Sequence, residues 1–187
     1  MRMARSLLPS DSINRLGELL RQSTDSESGH IQLERDGVVD AVEEILLYAY
    51  IYGVKNVGSA LGIDIPADPD EASIAIMREY DGKNFADRVR EYFDDDDIDG
   101  ILRVADTDAH RAFNAGGYNT AVKGGATKKT WFTMLDEKVR DMHVALEGIT
   151  VPIDGTFFAP DGDEGQYPGD FQKPQNNVNC RCGLIFS

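Results

Sequence analysis

Cysteine, tryptophan, histidine and positive charge are all scarce in this chain. Of 187 residues two are cysteine, one is tryptophan and three are histidine. Both cysteines lie in Asn179-Cys180-Arg181-Cys182, so a secreted framework of several disulfides is excluded and all thiol chemistry is confined to one tetrapeptide. No apolar run is long enough to span a bilayer and no leader-like segment opens the chain, so the expectation is a cytoplasmic protein with no membrane partner. Lys and Arg number 19 against 33 Asp and Glu, a net charge of −14. That balance argues against an autonomous nucleic-acid binder, because Lys and Arg supply the phosphate neutralisation on which such binding rests. Between Arg103 and Arg140 the bases outnumber the acids, which leaves a solvated face or a local DNA contact as alternatives.

What is present reads as helix first and sheet second. Ser10 or Asp11 caps a short helix with an apolar stripe of Ile13, Leu16, Leu19 and Leu20. The stripe from Val38 to Tyr50, continuing toward Gly62, predicts the central helix of the first half. Pro66 and Pro69 break it. Asp70 then caps a helix with Ile74, Met77 and Tyr80 inward, and Asn84 opens another with Phe85 and Val89 inward. The acidic run Asp94 to Asp99 before Gly100 imitates a calcium loop, but Arg103 at the ninth position spoils the match and an acidic helix start explains the run more simply.

From Ile101 the helical period returns, with Gly116-Gly117 interrupting it. Thr127 to Met134 reads as a strand and Asp136 to Leu146 as a helix closed by Gly148. Two short strands around Asp154-Gly155 suggest a hairpin, and Cys182 to Phe186 a last strand. The expected fold is therefore α+β, with a helical region over 1–93 and a domain of helices and a small antiparallel sheet over 94–187.

The chemistry concentrates at the end of the chain. On an extended strand Cys180 and Cys182 present both sulfurs to one side. On a helix from Asp136, that residue, Arg140 and His143 share a face. Asp136, His143, Cys180 and Cys182 together are a candidate zinc site, two thiolates, an imidazole and a carboxylate or water being ordinary zinc ligands. Buried thiols acting as small hydrophobes beside a core histidine fit the same residues without a metal, and a strained disulfide is a third reading.

The order Trp131, Asp136, Val139-Arg140, His143, Gly148, Phe157 or Phe158, Tyr167-Pro168-Gly169, and Asn179-Cys180-Arg181-Cys182 resembles the C-terminal domain of the phage Mu F-like minor head proteins. Asp106-Thr107-Asp108 with Arg111 and Asn114 extends the likeness, with Asp108 standing where glutamate is usual. The resemblance implies a virion protein of a tailed bacteriophage, at the capsid interior or portal vertex and in the host cytoplasm during assembly. It further implies a part in head morphogenesis and in DNA packaging or ejection, with the portal protein and the major capsid protein as partners. The N-terminal helices would be the docking region. The domain's reported likeness to ADP-ribosyltransferases raises a second reading, an enzyme or toxin module acting on a nicotinamide dinucleotide. Arg111 or Arg140 would then hold phosphate and Asp106, Asp108 or Glu164 would act on the ribose.

Overall fold

Two long helices carry the architecture. In the computed structural model, which describes residues 10–187, these are α2 (Arg35–Leu61) and α5 (Ile98–Lys123). Around them lie α1 (Ser10–Gln22), α3 (Pro69–Ile76) and α4 (Phe85–Asp94). Residues 1–9 of the expected helical region lie outside the described residues. Among the described residues no helix is long and apolar enough to cross a membrane.

The buried stripe Val38, Val39, Val42, Ile45, Leu46, Ala49 and Tyr50 puts α2 at the centre of the helical core, as its period predicts. Gly62 ends the helix in a left-handed conformation, φ 70°. Asp68, rather than Asp70, caps α3 by accepting from the backbone N–H groups of Asp70 and Glu71. This earlier start turns Ala72, Ala75 and Ile76 inward and leaves Ile74 and Met77 in solvent. Asn84 and Asp87 form a reciprocal capping box at the start of α4.

The acidic run joining α4 to α5 is occupied by the protein itself. Asp94 pairs with Arg35, Asp96 accepts from the Ile31 N–H and contacts His30, and Asp97 caps α5 by accepting from the Gly100 N–H. The acidic helix start thus accounts for the calcium-like spacing.

α5 does not stop at Gly116-Gly117. Those glycines let α2 approach backbone to backbone: a Cβ at Gly53 would stand 2.0 Å from the Phe113 carbonyl oxygen, and one at Gly116 2.3 Å from that of Tyr50. Because backbone cannot yield as a side chain does, Gly53→Ala is expected to cost about 3 kcal/mol despite alanine's better helix propensity. Urea denaturation measures this; an unchanged midpoint would mean that the helices are not in contact there.

After α5 comes the small sheet: β1 (Lys128–Phe132) at the centre, flanked antiparallel by β2 (Thr150–Pro152) and β5 (Gly183–Phe186). Alternation along β1 turns Lys129 and Trp131 inward, and the register sets Trp131 opposite Leu184. Lys129, expected among the surface bases, is fully buried. Its ammonium donates to Gln166 Oε1 at 2.6 Å and lies 4.5 Å from the Tyr118 ring centre, and burial pushes its pKa down to about 8.

The expected hairpin across Asp154-Gly155 does not form. β2 pairs with β1, whereas β3 (Phe157–Phe158) pairs with β4 (Glu164–Gly165). Two buried apolar groups result. One runs from Ile13 to Ala115, so α5 belongs largely to the helical core although it begins beyond residue 93. The other gathers Trp131, Leu146, Phe157, Phe171, Cys180 and Cys182.

Candidate metal centre

The second core is built around one imidazole. Trp131 meets the His143 ring edge-on at 5.7 Å, and Phe171 stacks on it at 5.8 Å. His143 sits in α6 (Asp141–Val144), a single helical turn. From the other side the chain leaves α7 (Pro174–Asn177) through Asn179, whose φ of 55° is tolerated by asparagine better than by most residues. That reversal carries Cys180 and Cys182 inward in extended chain just before β5 and leaves Arg181 between them on the outside.

Both thiols reach the same nitrogen. His143 Nδ1 lies 3.6 Å from Cys180 Sγ and 3.4 Å from Cys182 Sγ, and the three ligand atoms all fall within 4.8 Å of one another. The three residues are at most 4% exposed, and both cysteines are free. Tetrahedral coordination, with metal–sulfur bonds of about 2.3 Å and a metal–nitrogen bond of about 2.0 Å, sets sulfur and nitrogen about 3.5 Å apart.

The pair of thiols is electrostatically asymmetric. A hydrogen bond from Cys182, outweighing burial and assisted by His110 and His143, holds the Cys180 thiol well below the usual range. The same hydrogen bond, with burial and the Cys180 charge, pushes Cys182 up, against a smaller opposing pull from Trp131 and Arg140.

Asp136 does not join this cluster. Its carboxylate accepts from both terminal nitrogens of Arg181, at 2.6 Å from Nη1, and Arg181 holds it below the usual carboxylate range. The expected helix from Asp136 fails for the same tertiary reasons. Leu135 has φ 55°, the Asp136 side chain accepts from the Lys138 N–H, and Arg140 is extended with its guanidinium on the Val178 carbonyl. Asp136, Arg140 and Arg181 thus form an outer brace that fixes the loop carrying the thiols to the loop carrying His143.

His110 was not recognisable in the sequence, buried as it is in an alanine-rich stretch of α5. Asn114, one helical turn on, meets its Nε2 at 3.2 Å and donates to its carbonyl at 2.9 Å. Asp163 was also missed. Its buried carboxylate accepts from the N–H groups of Glu164, Gln172 and Lys173 and from Asn176, ordering the loop ahead of α7. Burial alone would raise its pKa; the hydrogen bonds outweigh burial and lower it. The stability it adds is therefore complete above the ordinary aspartate range and is lost as pH falls through the lowered pKa. Asp163→Asn should flatten the loss of stability between about pH 5 and pH 2; melting curves with the same acid slope as the parent would contradict this.

Tyr167-Pro168-Gly169 closes the seam with the helical core. Tyr167 packs on Tyr118 at 5.5 Å, Tyr80 donates its hydroxyl to the Gly169 carbonyl, and Arg78 pairs with Asp170. The candidate catalytic residues do not converge. Arg111 and Asp108 pair with each other in the interior, Arg140 belongs to the brace, and Glu164 is exposed on β4. Of the bases between Arg103 and Arg140, Lys123 pairs with Glu71 and Arg103 lies near Asp97, while Lys128 and Lys138 are exposed to solvent.

The family described as Phage Mu protein F like protein matches residues 70–185. A curated relative, the minor head protein GP7 of Bacillus phage SPP1, is 33% identical over 86 residues, 44% of this chain and 28% of that protein. The chain therefore spans under a third of that relative's length. No solved structure matches. With the match running from the start of α3 through both thiols, the chain belongs to the Phage Mu F-like family.

Proposed function

We propose that this protein is a structural component of a tailed-phage head, docked at the portal vertex during head morphogenesis, and that zinc at His143, Cys180 and Cys182 holds its C-terminal module closed. The family and the minor head protein relative support the head role. The single observation that carries the zinc is the pair of sulfur–nitrogen distances, 3.6 and 3.4 Å, around the tetrahedral value. Two thiolates and neutral imidazole leave a dication uncharged overall, which suits a buried site. The role is assembly rather than catalysis. The α1 to α4 side of the helical core is the surface offered to portal or shell, and DNA is handled by the assembly it joins, given the net charge of −14.

Elemental analysis of purified protein should find about one zinc per chain, lost in Cys180→Ser and kept in Asp136→Asn. Metal-free protein with both thiols titrating would refute the zinc. For the head role, the chain should co-purify with portal rings and mature particles; absence from both would refute it.

A further inference from the structure

Lys129 is fully buried on β1, and among the described residues no carboxylate pairs with it. Its nitrogen lies 2.6 Å from the carboxamide oxygen of Gln166, 4.5 Å from the Tyr118 ring centre and 5.6 Å from that of Phe157. One neutral oxygen and two ring faces replace water poorly around an ammonium, so the interior favours the neutral amine. The enclosure is shared between elements. Tyr118 comes from α5, Phe157 from β3 and Gln166 from the residue after β4. Gln166 also ties the hairpin together, its Nε2 donating to Thr156 Oγ1 at 3.0 Å. The β3–β4 hairpin is therefore what covers the amine.

We propose that this hairpin is a proton-operated flap: it opens readily when Lys129 is protonated and shuts against α5 when Lys129 is neutral. Opening returns to an ammonium the hydration it lacks inside, whereas a neutral amine gains little by leaving, so the proton favours the open form. Neighbouring groups do not reverse that sign. Burial pushes the Lys129 pKa down to about 8, against a smaller upward pull from Asp154 in the turn after β2. Tyr118 is held above its ordinary range by burial and Asp154, and Tyr167 chiefly by burial, so both stay neutral while Lys129 titrates. Glu164 on β4 faces solvent, and Asp170, which accepts from the Gln166 backbone N–H, is paired with Arg78. Across the sheet stand Val151 on β2 and Phe186 on β5, neither of them titratable.

The test uses the full chain. NMR of labelled lysine side chains should place the Lys129 midpoint near pH 8, against 10.5 for an ordinary lysine. Subtilisin cleavage within residues 156–166, divided by the protease's rate on an unstructured peptide, should fall about twentyfold from pH 7.5 to pH 9.5, as those two midpoints require. Lys129→Met fills the enclosure without a charge and should be cleaved slowly and equally at both. A Lys129 midpoint of about 10 or above, a parent whose corrected cleavage ignores pH, or a Lys129→Met variant that keeps the parent's pH response would each overturn the flap. If Lys129→Met fails to fold, the midpoint and the parent's own cleavage profile decide.

Discussion

Stripped of zinc by a chelator, the protein is expected to melt at least about 10 °C below its zinc-loaded form. Structural zinc supplies on the order of 10 kcal/mol of folding free energy in small modules that lack another core. Here Trp131, Leu146, Phe157 and Phe171 provide some core without it, so only part of that amount is at stake. Even half, about 5 kcal/mol, corresponds to 10–20 °C at roughly 2–4 °C per kcal/mol for a chain of this length. A metal-free network would behave otherwise. Two thiol–imidazole contacts, at about 1 kcal/mol each and partly replaced by water on unfolding, would leave chelator without effect. Calorimetry with and without chelator separates the cases, and coincident transitions would remove the metal from the account. Cys180→Ser should reproduce the chelated protein and gain nothing from added zinc.

Asp108→Ala is expected to cost about 3–5 kcal/mol, because it strands a buried charge. Asp108 is fully buried. It accepts from Arg88 at 2.6 Å and lies 3.0 Å from Arg111 Nη1, while Arg111 donates to the Ile76 carbonyl and covers the Tyr80 ring. With the carboxylate gone, Arg111 keeps its guanidinium at 1% side-chain exposure with no countercharge of its own. The double replacement Asp108→Ala with Arg111→Met should recover part of the loss, since it removes both fully buried charges and leaves Arg88, 21% exposed, to reach water. Denaturant midpoints at constant slope report both numbers. A single variant within about 1 kcal/mol of the parent would show that water reaches the pair.

Legibility in the sequence followed the range of the forces involved. α2 could be read because seven apolar positions repeat at helical spacing over four turns, a signal no tertiary contact contradicts. α4 was equally plain, its Asn84 cap and inward Phe85 and Val89 being local. The convergence of His143 with Cys180 and Cys182 was also anticipated, since the rarity of both residue types leaves few other ways to arrange them. The helix from Asp136 was misread because its apparent face is overridden by Arg181 and Val178, some forty residues away in the chain and invisible to any local period. Gly116 looked like a break for the opposite reason. The residue that weakens an isolated helix is required where α2 presses against it. Strand pairing failed at Asp154-Gly155 because turn chemistry proposes a partner, whereas cross-strand pairs select one: Lys129 faces Val151, and Thr130 bonds Thr150 through its hydroxyl, which sets β2 on β1.

The thiols' place at the far end of the chain also sets an order of events during synthesis. Everything from Ile13 to Ala115 that forms the helical core leaves the ribosome before either sulfur exists. Trp131 and His143, met by then only by Phe157 and Phe171, wait for residues 180–182 to close their remaining side. A transcript or protease that ends the product ahead of Asn179 would therefore yield a folded helical body carrying an open, adhesive aromatic surface. Cells making such a fragment should be seen to clear it or deposit it rather than incorporate it.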